Sequence, residues 1–250
     1  MTVRFHRDAI GAVVLDIEGT TTPIAFVHDV LFPFARRLLR EHLQERRRSP
    51  EAREVTRRLR GEWADDVAHG QAPPPWSDEP DAELSSVAAY VEWLMDRDRK
   101  SPGLKQLQGH IWERGYRSGA LIAEVFPDVG PAVERWRGSG IVVAIYSSGS
   151  VLAQQLLFGH TTTGDMTALV DRFFDTEVGA KSSPASYQRI AAALQCTTDR
   201  LLFVSDARTE LDAARQAGCR VLLCVRPGNP AQSPPPELDM IHGFDEIGIG

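Results

Sequence analysis

The chain has 250 residues, of which 42% are hydrophobic and 25% charged, and its formal net charge is -6. This globular composition allows one or two domains, and the acidic balance excludes a general attraction to nucleic acid or anionic membrane, so we expect a small-molecule partner. No apolar stretch approaches the roughly 20 residues of a membrane span, and the first residues lack a signal-peptide core, so we expect a cytoplasmic location.

Short apolar runs rich in valine, isoleucine and leucine recur along the chain. They occupy Ala12–Leu15, Ile141–Tyr146, Leu201–Val204 and Val221–Val225, with Phe173–Phe174 as a shorter candidate. Runs without polar alternation are typical of strands buried on both faces. Helical patterns separate the later runs, at Val151–Phe158, Pro184–Leu194 and Glu210–Ala217. This alternation predicts an α/β fold built on a Rossmann-like parallel sheet.

A long helical region separates the first apolar run from the second. Its main candidate helices are Val30–Leu43, Ala52–Asp66 and Asp81–Arg99. We therefore predict a core domain of residues 1–26 and 122–250, with an inserted helical domain of residues 27–121. The basic stretch Arg36–Arg60 is interleaved with glutamates, which favours a solvated helix face over a nucleic-acid site. The tail after Arg226 is rich in proline and glycine and is expected to wrap the surface.

Three of the apolar runs are followed at once by residues able to do chemistry. Asp16 and Glu18 follow the first run, Ser147–Ser150 the second, and Asp206 and Glu210 the third. The carboxyl ends of parallel strands open onto one crevice, where ligands of such sheets bind. We therefore expect these chain-distant groups to meet.

The residue types in this predicted crevice suit phosphoryl transfer. Asp16 and Asp206 would repel each other unless a cation such as Mg²⁺ lay between them. Ser147–Ser150 precedes a helix, whose first N–H groups can bind an anion, and Lys181 can offer a positive charge to a phosphate oxygen. Taken singly, each residue has an ordinary alternative as a helix cap, a turn residue or a surface charge. The combination favours a catalytic site.

Asp16-Ile17-Glu18-Gly19-Thr20, followed by a serine, a lysine and an acidic motif after successive strands, resembles the haloacid dehalogenase-type phosphatases. The longer segments resemble one branch of them, the enolase-phosphatases (acireductone synthases) of methionine salvage. These segments are LDIEGTTTPIAFVHDVLFPFA from Leu15, LQGHIWERGYRSG from Leu107, YSSGSVLAQQLLFGH from Tyr146 and VRPGN from Val225. The resemblance covers essentially the whole chain.

The resemblance implies a role for each matching position. Asp16 is the nucleophile and a metal ligand, and Glu18 is the acid/base, with its backbone carbonyl as a second ligand. The phosphate-binding residues would be Ser147, Ser148 and Lys181, and the remaining metal carboxylate Asp206. One Mg²⁺ per chain is implied, and the inserted helical domain would be a cap. Glu210 stands where many relatives carry a further acid, and its role is left open.

The resemblance also implies a reaction. The substrate would be 2,3-diketo-5-methylthiopentyl-1-phosphate, which is enolised and then dephosphorylated to the acireductone 1,2-dihydroxy-5-methylthiopent-1-en-3-one. The base that enolises the diketone is either Glu18 or another group, such as a metal-bound hydroxide. We expect a monomer. The alternatives are a general sugar-phosphate or phosphoglycolate phosphatase, a non-catalytic phosphate-binding protein, and a dehalogenase acting through Asp16.

Substrate choice is expected to come from the inserted domain, within Tyr90–Gln108. Tyr90, Trp93 and Lys105 are the candidates to face the substrate. The competing interpretation puts the two aromatic residues in the inserted domain's own core.

Overall fold

The computed structural model describes residues 2–79, 82–99, 101–230 and 238–250. The chain divides into two compact units. The core unit is Met1–Asp29 with Leu121–Gly250, and the insert unit is Val30–Ala120. The role of the insert as a cap stays a prediction.

The core unit is built on a parallel sheet. In chain order, its strands are β1 (Val3–Phe5), β2 (Ala12–Leu15), β3 (Val142–Tyr146), β4 (Arg172–Phe174), β5 (Leu201–Ser205), β6 (Arg220–Cys224), β7 (Met240–Ile241) and β8 (Ile247–Ile249). Six of them form one sheet in the order β4-β3-β2-β5-β6-β7, and β1 pairs separately with β8. All of these pairings are parallel, which confirms the predicted fold class.

The insert unit is helical. Its helices are α1 (Phe32–Arg46), α2 (Pro50–Ala68), α3 (Glu83–Met95) and α4 (Pro102–Arg117), and a π-helical segment, Phe26–Leu31, leads into α1. The predicted start of the third helix at Asp81 lies outside the described residues. Helix α4 was not among the predicted candidates, although its Ser-Pro start is a local signal: Ser101 caps the helix by accepting from Leu104 N at 3.0 Å.

Tyr90 and Trp93 lie in the interior of the insert unit. Their rings stack at 5.8 Å, and the Tyr90 hydroxyl donates to Asp66 Oδ2 at 2.7 Å. Tyr90 is 1% exposed and Trp93 is 8% exposed. The prediction that these two rings face the substrate is therefore wrong, because they fill their own unit's core, while Lys105 on α4 is half-buried.

Among the described residues, four α-helices complete the core unit: α5 (Val129–Gly138), α6 (Val151–Gly159), α7 (Pro184–Ala193) and α8 (Arg208–Gln216). On one face of the sheet, Ala12 and Val14 pack with Tyr187 of α7 and Leu211 of α8. The alternate residues of β2 point to the other face and are also fully buried. Central strands covered on both faces explain the unbroken apolar runs.

The last described segment, residues 238–250, packs into the core unit instead of wrapping the surface. Residues 231–237 lie outside the described part, but Met240–Ile241 adds the sixth strand to the sheet, and Phe244 and Ile247 are fully buried. The expectation of a surface wrap is wrong for this segment because its apolar residues complete the core. Among the helices of the described residues, none has the length and apolar character needed to cross a membrane.

Candidate active site

Asp16 lies directly after β2, at the carboxyl edge of the sheet, and only 5% of it is exposed. Its Oδ1 accepts from Ile17 N at 2.8 Å, and its Oδ2 accepts from the Ser205 hydroxyl at 3.0 Å. The register of the parallel strands brings β5 beside β2, so Ser205 reaches Asp16 from the neighbouring strand end. The carboxylate is thus fixed in one orientation.

Lys181 forms buried ion pairs with two carboxylates at the carboxyl edge of the sheet. Its Nζ is 2.5 Å from Asp16 Oδ1 and 2.6 Å from Glu210 Oε2. Its side chain is 9% exposed, and the Tyr187 hydroxyl donates to its carbonyl at 2.7 Å. Burial acts to lower the pKa of Lys181, but Asp16 and Glu210 outweigh burial and raise it, so the ammonium stays charged.

Asp206 brings a further carboxylate to the same place. Its backbone N donates to Thr20 Oγ1 at 3.1 Å, which ties the end of β5 to the loop after β2. Burial, and then the negative charges of Asp16, Glu18 and Glu210, raise the pKa of Asp206 to about 7. Burial and Asp16 likewise raise the pKa of Glu210, and Lys181 opposes them.

The arrangement fits a hard cation. The negative charges of Asp16, Glu18 and Glu210 all act on the Asp206 carboxylate and only the Lys181 ammonium opposes them among its main influences, which leaves an excess of negative charge there. No three His, Cys, Asp or Glu side chains converge on a metal position within the described ranges. A cation here would therefore need oxygen from the backbone as well, and carboxylate and carbonyl oxygens suit Mg²⁺.

The backbone supplies such an oxygen at Glu18. In the part of the chain that the structure describes, no group donates to the Glu18 carbonyl, whereas the Ile17 carbonyl accepts three N–H groups of the loop. Asp16, the Glu18 carbonyl and Asp206 are thus the groups able to hold the ion.

Ser147 and Ser148 follow β3 at the same edge. Leu15 pairs with Ile145, so Ser147 comes one residue beyond the position opposite Asp16. Ser147 Oγ accepts from Gly149 N at 3.2 Å, and Ser150 caps α6 by accepting from Ala153 N. The last serine is a helix cap, so Ser147 and Ser148 remain the predicted anion-binding pair.

Sequence reasoning missed His28. It lies in the π-helical segment, and its Nε2 is 2.7 Å from Glu18 Oε1. Both side chains are about half exposed, at 53% and 44%. The ten-residue separation follows no helix or strand period, so no pattern in the sequence pairs these two residues. Ser205 directly follows the third apolar run but was given no role, and Tyr187 was missed, because a hydroxyl carries no chemical signal until its partners are known.

The geometry allows nucleophilic attack by Asp16 on an anion. A buried ammonium and a serine-rich helix start would hold a phosphoryl group beside the fixed carboxylate, and Glu18 lies two residues away on the loop. Such fixed charges around a reacting group are the main source of catalysis in phosphoryl transfer.

Comparisons with known proteins agree with this geometry. Residues 10–218 match the family model described as haloacid dehalogenase-like hydrolase. The chain is similar to the enolase-phosphatase E1 of Synechococcus elongatus, with 45% identity over 239 residues, covering 96% of this chain and 98% of the relative. It is also similar to the enolase-phosphatase E1 of Salmo salar, with 43% identity over 225 residues, covering 87% and 86%.

Two solved structures are similar to the chain. The UTR4 protein of Saccharomyces cerevisiae matches with a TM-score of 0.76 and 31% identity, covering 94% of this chain and 99% of that one. A protein described as a dehalogenase matches with a TM-score of 0.53 and 18% identity, covering 96% of each chain, which shows a shared fold alone.

Proposed function

This chain belongs to the enolase-phosphatase E1 family of haloacid dehalogenase-like hydrolases, and we propose that it is a Mg²⁺-dependent enolase-phosphatase of methionine salvage acting through an aspartyl-phosphate on Asp16. The chain is a phosphatase, a hydrolase of phosphoric monoesters. Its proposed substrate is 2,3-diketo-5-methylthiopentyl-1-phosphate. We propose further that it acts in the cytoplasm as a monomer and that the insert unit is a cap that selects the substrate.

The first step is enolisation, and Glu18 is its proposed base. The Glu18 carboxylate takes a proton from the carbon that bears the phosphate ester, and the electron pair of that C–H bond forms the carbon–carbon double bond. The resulting enolate oxygen takes a proton from solvent, so Glu18 stays protonated for the next step. His28, at 2.7 Å, holds the carboxylate in place. Mg²⁺, when bound, would be held by Asp16, Asp206 and the Glu18 carbonyl and would supply positive charge near the enolate and phosphoryl oxygens.

Phosphate removal follows at Asp16. Its carboxylate oxygen attacks phosphorus, the bond between phosphorus and the ester oxygen breaks, and protonated Glu18 gives its proton to the leaving oxygen. Water then attacks the phosphorus of the aspartyl-phosphate, Glu18 takes the proton of that water, and phosphate leaves from a restored Asp16. Ser147, Ser148 and Lys181 hold the phosphoryl oxygens throughout.

The observation that carries the proposal is the buried cluster of Asp16, Lys181 and Glu210, with Nζ–oxygen distances of 2.5 and 2.6 Å. A lysine paired with a second carboxylate stays charged and correctly placed beside the nucleophile, as transfer of an anionic group requires.

The test is phosphate release from the diketone phosphate, with and without a chelator. We expect Mg²⁺-dependent turnover that Asp16→Asn abolishes, because the amide is a poor nucleophile and a poor metal ligand, and losing a covalent nucleophile costs several kcal/mol of barrier. More than about a hundredth of the wild-type rate in Asp16→Asn would remove Asp16 from this role, since that loss corresponds to only about 2.7 kcal/mol.

A substrate panel separates the alternatives. Faster turnover of sugar phosphates or phosphoglycolate than of the diketone phosphate would indicate a general phosphatase. Absence of turnover on every substrate, with phosphate still bound, would indicate a binding protein.

A further inference from the structure

In the loop that follows β2, Asp16–Thr22, every backbone carbonyl except that of Glu18 accepts a hydrogen bond from a described residue. The Asp16 carbonyl accepts from the Thr21 hydroxyl at 3.0 Å, and the Thr21 carbonyl accepts from Phe126 N at 2.9 Å. The Ile17 and Thr22 carbonyls accept from N–H groups of the loop itself. The loop is therefore held in a single shape.

The two carbonyls that follow Glu18 are held by the segment after β6. Asn229 Nδ2 donates to the Gly19 carbonyl at 2.8 Å, and Arg226 Nε donates to the Thr20 carbonyl at 3.0 Å. The Glu18 carbonyl, between these contacts and the start of the loop, accepts from none of the described residues. Arg226 and Asn229 belong to the VRPGN motif, to which the proposed chemistry assigns no role.

Arg226 is itself fixed in the interior. It is 4% exposed, its Nη1 lies 2.8 and 2.9 Å from the two carboxylate oxygens of Asp128, and its guanidinium lies between the rings of Phe126 and Phe244 at 4.5 and 4.6 Å. A buried arginine pairs with carboxylates in a defined plane, so its Nε is aimed at one carbonyl only.

Gly19 is the loop position whose backbone most needs to be held by hydrogen bonds. Its φ of +70° lies in the left-handed region, and a Cβ there would come within 2.3 Å of Asp206 Oδ2 and 3.0 Å of Asn229 Nδ2. Glycine reaches both signs of φ, so the peptide planes on either side of it rotate easily unless hydrogen bonds hold them. The Glu18 carbonyl belongs to one of those planes.

We propose that Arg226 and Asn229 are positioning residues for the metal site, which hold the Gly19 and Thr20 carbonyls so that the Glu18 carbonyl stays turned to the cation. This rests on the proposed Mg²⁺-dependent function. Neither residue touches the substrate or the ion; they act through the loop backbone. Groups that orient a metal ligand in this way contribute about 10- to 100-fold to metal affinity.

The experiment measures Mg²⁺ binding to the intact protein by titration calorimetry, without substrate. Asn229→Ala removes one donor and leaves the buried pair of Arg226 and Asp128 in place. Arg226→Lys keeps the charge and removes the Nε donor. Arg135→Lys is the matched control, because Arg135 also donates to carbonyls near the tail, those of Phe244 and Ile247, but does not contact the loop.

We expect Kd for Mg²⁺ to rise about 10-fold or more in Asn229→Ala and Arg226→Lys and to stay at the wild-type value in Arg135→Lys. Hydrogen exchange of the Asp16–Thr22 amides, followed by mass spectrometry in the metal-free protein, should quicken in the first two variants only. Wild-type Kd values in Asn229→Ala would overturn the inference, as would equal losses in all three variants, which would indicate a tail effect. If the wild-type protein itself binds no Mg²⁺, the proposed Mg²⁺-dependent function is wrong. That result differs from wild-type Mg²⁺ binding in the variants, which would contradict only the positioning role of Arg226 and Asn229.

Discussion

At the scale of single residues, Glu18 is the side chain to which the proposed mechanism assigns proton transfer in both enolisation and hydrolysis. Its carboxylate is on the loop two residues after Asp16 and contacts His28 at 2.7 Å. Glu18→Gln keeps the shape and removes the titratable proton, so we expect enolisation and dephosphorylation to slow together by about 10²–10⁴-fold.

Deuterium exchange from solvent into the substrate, followed separately from phosphate release, measures the two steps. Glu177→Gln, an exposed glutamate of the core unit, is the control and should behave as wild type. Exchange at the wild-type rate in Glu18→Gln, while phosphate release collapses, would show that another group is the enolisation base.

A site residue could be predicted from the sequence only where its neighbours in the chain form a recognisable pattern. Asp16 and Asp206 were predictable because each ends an apolar run. The pairing of Lys181 with Glu210 was not, since it joins the turn before α7 to α8, and no local pattern links a lysine to a carboxylate in another segment.

At the scale of elements, α3 places its aromatic residues in the interior of the insert unit. Trp93 is 8% exposed and stacks on Tyr90. We expect Trp93→Ala to lower the free energy of unfolding by about 3–5 kcal/mol, as large core truncations do, with KM unchanged.

Urea denaturation and steady-state kinetics measure these two effects. Val67→Ala on α2, where Val67 is 46% exposed, is the control and should leave stability near wild type. A raised KM with an unchanged melting temperature in Trp93→Ala would show that Trp93 contacts the substrate and is not a core residue.

Helix α1 contains a buried histidine, His42, whose protonation is expected to destabilise the insert unit at acid pH. His42 is 5% exposed, and burial, followed by the charges of His110, Arg46 and Arg114, lowers the pKa of its imidazole to about 4. In the unfolded chain the pKa of His42 has its ordinary value of 6.5, so the unfolded chain binds the proton more tightly than the folded one. The contribution of neutral His42 to the free energy of unfolding is therefore fully present above pH 6.5 and is lost as the pH falls towards 4.

We expect the melting temperature to fall between pH 6.5 and 4, and His42→Phe to reduce that fall. The comparison is thermal unfolding across this range for the wild type, His42→Phe and His69→Gln, the last an exposed histidine of α2's C-terminal end. An equal pH dependence in wild type and His42→Phe would contradict the assignment.

At the scale of the whole molecule, the C-terminal segment completes the core unit. Phe244 is fully buried and packs on Trp136 of α5 at 5.6 Å, while β7 extends the sheet and β8 pairs with β1 near the other end of the chain. We expect Phe244→Ala to lower the free energy of unfolding by about 3–5 kcal/mol, because a large buried ring is lost.

Urea denaturation followed by tryptophan fluorescence measures this change. Ile122→Ala, at a side chain that is 57% exposed, is the control and should be near neutral. If Phe244→Ala lowers the free energy of unfolding by less than about 1 kcal/mol, as a surface substitution would, the C-terminal segment contributes little to stability.

The sequence by itself determined the parallel sheet, the helical insert and the strand ends at which the candidate catalytic residues lie. These features are local: apolar runs, helix starts and the residues beside them depend on near neighbours in the chain. Only the tertiary structure decided which groups meet. His28 reaches Glu18, Lys181 bridges Asp16 and Glu210, and Tyr90 turns inward, because burial and hydrogen bonding between distant segments select one partner among many that the sequence allows equally.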